Sequence, residues 1–338
     1  MAPATATKRT VPPRALGSPV TETENVYVIG HFGIARVPAP GWSLRVDGLV
    51  GTQLRLDLDE LRALPAVSVT AVLECFGNPL RPDEPVRRVA NVTWRGVPVR
   101  ALLERAGARP GADSLWVGGL DFGSFGGRAS QGYLKDVPLR VAADRGIVAY
   151  EMNGEPLTEE HGFPARLFVP GYFGTNNVKW LRSLTVAAGR PEHLFTTELY
   201  QRVPPGGRHP VPVRDLDVNS VLTGHSERAG VVTVYGWAWS ATPVSRVRIG
   251  IDGVHGTDGE WLEATVEPRR ADAFGWQRFS RALRLAPGAH AVTARATDSQ
   301  DRVQPLTGAR NEVHTVTVTV PDGVASAPAR STGADPSN

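Results

Sequence analysis

The sequence predicts an α+β body over residues 23–205, followed by an all-β sandwich of immunoglobulin type over residues 206–322. Three observations carry this. The first part mixes helical apolar stripes with strand-like runs, without the regular alternation of a doubly wound sheet. The second part is a succession of short strands separated by turns. Between them lies Val203-Pro204-Pro205-Gly206-Gly207-Arg208-His209-Pro210, dense in turn formers. The 338 residues also exceed the size, about 250–300, at which a single core stops growing.

In chain order, residues 1–22 are rich in Pro, Ala and Thr, and have too little apolar surface to offset ordering entropy. They read as a disordered tail, as do residues 323–338 at the other end. Trp42 to Val50 alternates like a strand and contains an Asp47-Gly48 turn signal. Asp57-Leu58-Asp59-Glu60 has the form of a capping box, followed by Leu61 and Leu64 and stopped by Pro65. Val67 to Leu73 is an apolar strand-like run that leads to Cys75 and is broken by Gly77-Asn78-Pro79. A strand end beside a glycine turn is a place where a side chain meets a ligand. Val99, Leu102, Leu103 and Ala106 make a helical stripe with Gly107 as its C-terminal cap. The glycine-rich stretch 118–127 lacks the spacing of a dinucleotide loop and reads as a flexible loop beside a pocket. Leu167-Phe168-Val169 and Leu184-Thr185-Val186 read as buried strands.

In the second part, Val231 to Trp239 is rich in branched and aromatic residues. Val247, Ile249 and Ile251 alternate with polar or small residues before an Asp252-Gly253 turn, and Val292 to Thr297 and Thr315 to Val320 supply further strands. With no cysteine pair to staple this sandwich, Trp237, Trp239, Trp261 and Trp276 are its expected core anchors.

Composition narrows the function classes. Hydrophobic residues are 41% and charged residues 21%, the balance of a globular protein. A net charge of +3 with dispersed arginines does not support nucleic-acid binding, and no run approaches the ~18 apolar residues of a membrane span. No secretory signal is evident, and no disulfide is possible, so the cytoplasm is the expected compartment. Cys75 is the single cysteine, which excludes multi-cysteine zinc or iron–sulfur sites. Any sulfur chemistry passes through this one thiol.

Several motifs, in order along the chain, resemble the sulfite oxidase family of molybdenum enzymes. Leu73-Glu74-Cys75-Phe76-Gly77-Asn78 is similar to the family's cysteine motif, with Phe76 where alanine is usual. Tyr150 to Leu157, then His161-Gly162-Phe163-Pro164-Ala165-Arg166, Val169-Pro170-Gly171 and Asn177-Val178-Lys179-Trp180-Leu181 follow in the family's order and spacing. Gly236-Trp237-Ala238-Trp239-Ser240 resembles the opening of its immunoglobulin-like dimerisation domain. The resemblance spans about residues 25 to 320.

The resemblance implies a molybdenum–molybdopterin cofactor (Moco) bound in the first body, with the Cys75 thiolate on the metal. A soft, deprotonated sulfur suits a redox transition metal. It also implies cofactor contacts from His31, Asp121, His161, Arg166 and Lys179; the last two have the charge geometry a phosphate wants. Tyr200 matches the tyrosine beside the metal, with a hydrogen-bonding and proton-coupling role. Dimerisation through the C-terminal domain is implied likewise. No Cys-x-x-Cys-His haem attachment is present, so no haem is expected, and electrons must pass to or from an external partner.

Three positions depart from the family pattern. Ile29, Leu80 and Thr315 stand where sulfite-oxidising members carry pocket arginines, although Arg81 adjoins Leu80. Losing a charge-assisted partner of a buried oxyanion costs about 1–3 kcal/mol each. The expectation is therefore oxygen-atom transfer on a less anionic small molecule, such as an organic sulfur or nitrogen compound. The alternatives are a vestigial, dimeric binding module of the same fold, or a true sulfite oxidase using residues such as Arg81. A third reading, a Cys75 nucleophile with His161 as base, needs hydrogen-bond reach between the two.

Overall fold

The computed structural model describes residues 7–79, 84, 86–204, 206–253, 261–270 and 274–321. Leu80, Arg81, Pro205 and the tail 323–338 lie outside the described residues.

The first body holds two five-stranded sheets with short helices against them. In one, the order is Leu134–Pro138, Ser114–Gly119, Leu181–Ala187, Leu44–Gly48 and Leu54–Leu56, with a single parallel pair between Leu181–Ala187 and Leu44–Gly48. In the other, Glu155–Pro156, Ile147–Met152, Val89–Pro98 and Val67–Glu74 run antiparallel, and Arg166–Phe168 adds to Ile147–Met152. This is the irregular α+β arrangement the pattern predicts. The helices start and stop where local chemistry says they should. Asp57 accepts from Glu60 N at 2.8 Å while Glu60 accepts from Asp57 N at 2.9 Å, capping Leu58–Arg62. Val99–Ala106 buries its apolar stripe in the core and ends at Gly107, whose φ of 65° is the left-handed cap. The glycine-rich stretch, expected as a loop, runs from the end of the strand Ser114–Gly119 into a hairpin. Gly123–Phe125 pairs with Arg128–Ser130, and Gly126 and Gly127, both at positive φ, form its two-residue turn.

The second body is two four-stranded antiparallel sheets, whose first strand is Asn219–Arg228 and last is Thr315–Val320. Its inner face is aliphatic: Val232, Val234, Ala238, Val247, Ile249 and their neighbours. The expected tryptophan anchors are elsewhere. Along Val231–Trp239 the even positions face inward, so Trp237 and Trp239 fall on the opposite face by strand alternation. Together with Trp276 they pack on Val72, Val89 and Phe173 of the first body. Trp261 is half-buried on a short edge strand. Tryptophan therefore joins the two bodies and does not fill the sandwich.

The amino-terminal stretch also departs from expectation, since residues 7–22 are ordered. Thr7–Arg9 pairs with Val28–Gly30, and Leu16 is fully buried in the tryptophan cluster. Trp237 and Trp276 donate indole hydrogen bonds to the carbonyls of Leu16 (2.5 Å) and Pro19 (2.9 Å). Backbone acceptors thus order a segment that its sparse apolar content alone would not. The linker region also differs: Gln201–Arg202 pairs with Val211–Pro212, and Arg214 and Leu216 still bond the first body's Phe173 and Gly171. Among the described residues no helix is long and apolar enough to cross a membrane.

Candidate active site

The strand Val67–Glu74 delivers Cys75 to the wall of a partly enclosed cavity. His31, Asp121, His161, Arg166, Lys179 and Tyr200 line the same cavity, as does Ile29. The residues singled out for cofactor binding and catalysis are thus brought together from segments spread over 170 positions of chain. The pocket position Thr315 is not among them. It sits exposed on the last strand, its hydroxyl bonded to Thr293 at 2.7 Å, because strand alternation turns it away from the first body.

One end of the cavity is cationic. Arg166, on the strand Arg166–Phe168, is buried and donates to the carbonyls of His161 (2.9 Å) and Asn177 (3.0 Å). Its guanidinium lies over Trp94 at 4.8 Å, and its Nε has no partner. Lys179 donates to Glu160 O at 2.8 Å. Burial, then the Arg166 charge, pushes Lys179 down to about 7. Burial followed by Arg166 and Lys179 holds the His161 imidazole down to about 3, and its buried Nε2 is also without a hydrogen-bond partner. Asp121, pushed up to about 6 by burial, leaves Oδ1 unmet.

Buried cations that repel one another, beside unpartnered donors, make an expensive arrangement unless an anion arrives. A phosphate answers all of it, and the Asp121 oxygen can accept from a heterocycle N–H. The residues present therefore fit a phosphorylated pterin, which Arg166, Lys179, His161 and Asp121 would hold.

The other end is aromatic and holds the thiol. Burial pushes the Cys75 thiol up, against the opposing pull of the Gly77 amide and Arg88. The proton comes off such a thiol when a cation takes its place, which is how metal ligation and deprotonation couple. Among the described residues no group of three or more His, Cys, Asp or Glu side chains is placed to hold a metal. Beside the thiol, Tyr200 Oη and His31 Nε2 are 2.5 Å apart. Burial pushes His31 down to about 4, with Lys179 and Lys135 adding to it, and pushes the Tyr200 phenol up. A neutral imidazole therefore accepts from a protonated phenol. Tyr200 itself holds a φ of 56°, a left-handed backbone for a bulky residue, which aims its ring inward between Phe195 and His31.

Some functional candidates carry no local signal. Lys135 is buried, donates to Phe195 O at 2.7 Å and stands 5.5 Å from the Tyr200 ring centre. Arg310, from an irregular segment of the second body, lies over the Phe76 and Phe173 rings at 5.0 and 4.9 Å. It is bonded to Asp217 at 2.6 Å and to Asn78 O at 3.2 Å. Neither sits in a periodic pattern, so only the fold shows them.

Comparison with known proteins agrees with this geometry. Residues 31–195 match the oxidoreductase molybdopterin binding domain. The chain is 30% identical to the sulfite oxidase of Gallus gallus, covering 85% of this chain and 68% of that one. It is 29% identical to the Arabidopsis thaliana sulfite oxidase, covering 87% and 85%. A nitrate reductase of Solanum lycopersicum is 28% identical, but the match covers only 35% of that longer protein and 82% of this one. Among solved structures, the sulfane dehydrogenase SoxCD from Paracoccus pantotrophus superposes with a TM-score of 0.79 at 25% identity, over 93% of this chain and 84% of that chain. With motif order, cavity chemistry and similarity over more than four-fifths of the chain in agreement, this chain belongs to the sulfite oxidase family of molybdopterin-dependent oxidoreductases.

Proposed function

We propose that this protein transfers an oxygen atom to or from a small molecule less anionic than sulfite, with Cys75 as metal ligand. The observation that carries the substrate reading is Ile29. It lines the cavity at the position where a pocket arginine would stand. Arg310 brings a guanidinium near Phe76, but Asp217 at 2.6 Å already balances its charge. A substrate oxyanion there would compete with a carboxylate in place. The SoxCD likeness is in keeping with a sulfur-containing substrate.

When bound, the cofactor supplies oxygen-atom transfer coupled to a two-electron change. The chain's own residues do the rest. Arg166, Lys179 and His161 bind and orient the phosphate, and Asp121 fixes the heterocycle. Tyr200 holds a proton at Oη, shared with His31 Nε2, and offers it to an oxygen atom on the substrate. The rings of Phe76, Tyr133 and Tyr200 exclude water, which strengthens every charge interaction inside. Electrons leave or arrive through an external partner, the protein acts as a homodimer through its sandwich, and a reducing cytoplasm suits its lone thiol.

The test is a turnover screen of sulfite, nitrate, sulfoxides and N-oxides with artificial electron carriers, on protein shown to contain molybdenum. Turnover of a neutral oxide at ordinary enzyme rates, with sulfite slower by at least about a hundredfold, is expected. Sulfite turnover at micromolar KM returns the protein to sulfite oxidation, with Arg310 as the first basic candidate.

A further inference from the structure

Glu74 immediately precedes Cys75, yet its side chain is not part of the cavity lining. Strand alternation turns it the other way, where it is wholly buried, at 0% exposure. Its carboxylate accepts three hydrogen bonds. Trp239 Nε1 (2.8 Å) and Asn219 Nδ2 (3.2 Å) come from the sandwich, and Asn78 Nδ2 (3.2 Å) comes from the turn that follows the cysteine. Arg310 stands 3.7 Å from the same carboxylate and donates to Asn78 O. Asn78 Oδ1 in turn accepts from Arg88 N at 2.5 Å. The strand before the cysteine is held from the same side, since Val72 N donates to Phe274 O (3.0 Å) and Phe274 N to Thr70 O (3.1 Å).

A buried carboxylate is costly unless its lone pairs are met, so a Glu here needs a reason that an apolar residue would not satisfy. If Glu74 merely joined the two bodies, its donors would come from the far side alone. Instead they are divided between the sandwich and the turn carrying the thiol. Trp237 offers the contrast: its indole bonds only the amino-terminal arm, at Leu16 O.

We propose that Glu74 is a positioning residue for Cys75, through which Trp239, Asn219 and Arg310 of the C-terminal sandwich fix how the thiolate meets its metal. The proposal rests on Cys75 being the metal ligand. Partners one layer out from a ligand set its orientation and basicity, and hence the colour and reactivity of the metal–sulfur bond. The sandwich then serves the chemistry directly, beyond any part in dimer formation.

The experiment compares four single variants, and the Glu74→Gln, Trp239→Phe double variant, all produced beside the wild type in a molybdenum-replete host: Trp239→Phe, Glu74→Gln, Trp237→Phe and Cys75→Ser. Trp239→Phe keeps the ring and removes one N–H; Glu74→Gln turns an N–H toward the existing donors. Both are expected to retain metal and pterin but to shift the sulfur-to-metal absorption band. Both should lower kcat at least about tenfold with KM within about twofold, a pattern that loss of folded protein does not produce. The double variant should be no worse than the worse single one, because the two changes break one interaction. Trp237→Phe, which loosens the same interface without touching the turn, should lower the thermal midpoint and leave band and kcat unchanged. The proposal is overturned if Trp239→Phe and Glu74→Gln leave the band and kcat at wild-type values, or if Trp237→Phe moves them equally. Should Glu74→Gln fail to fold, Trp239→Phe decides alone. Cys75→Ser separates the premise: a wild-type band in that variant defeats the ligand assignment itself, whatever Glu74 does.

Discussion

The cationic end of the cavity and the layer behind its cysteine are built on opposite terms. Around Arg166, Lys179 and His161, buried basic groups crowd together with the Arg166 Nε and His161 Nε2 unmet. Around Glu74, both carboxylate oxygens and the Asn78 side-chain amide are answered from within the protein, while the Arg88 Nε nearby is not. The first group is incomplete without a ligand, whereas the Glu74 carboxylate is met without one. The difference teaches which charges are there to receive something and which are there to hold something still.

Three experiments break or sharpen this contrast. The largest effect belongs to Cys75→Ser, which removes the one soft ligand. Metal content and turnover should fall together by at least about a hundredfold, read by elemental analysis and assay. A serine variant that keeps its molybdenum and rate would sever the satisfied layer from the chemistry.

Lys179→Met comes next. Pterin content should drop at least about tenfold, whereas the cofactor-free protein should be no less stable, and more stable by about 1 kcal/mol, because a repelling buried charge is gone. Urea unfolding of both apo forms checks this. Loss of apo stability would mean that the lysine is a structural brace.

The smallest effect is in pH. Lys179 and Lys135 are held down to about 7 and about 8 in the folded chain, against 10.5 when unfolded. Between about pH 7 and 9 the unfolded chain therefore binds more protons, and cofactor-free stability should rise with pH across this window. Below that window Glu74 and Asp121, pushed up to about 7 and about 6, act with the opposite sign. A bound polyanion favours the charged lysine, so the loaded protein should show a flatter profile. Equal slopes for the two forms would remove Lys179 from the phosphate end.

Much of this was readable from the chain because it is local. The Asp57–Glu60 capping box, the stripe ending at Gly107 and the strand leading to Cys75 each need only a few neighbouring residues to specify them. The cavity-lining residues were readable for another reason, as they sit in motifs of fixed order. What escaped depends on distant partners. The tryptophans alternate as a strand should, but alternation does not say which face another body will cover. The arm over residues 7–22 has few apolar groups, and its order comes from carbonyls that indoles find. Thr315 lies exposed on the last strand, outside the cavity lining, whereas Arg310, five residues earlier in an aperiodic stretch, reaches the cysteine turn at Asn78 O.

The seating of that arm has a consequence for synthesis. Leu16 and Pro19 are made early, while the indoles that secure them lie 221 and 257 positions later. A nascent chain released before residue 276 cannot complete the clasp, so its amino-terminal arm stays unfastened. An arm that seats only on the finished sandwich marks a truncated translation product by a loose end that proteases can reach, while the cavity behind Ile29 is lined by other residues.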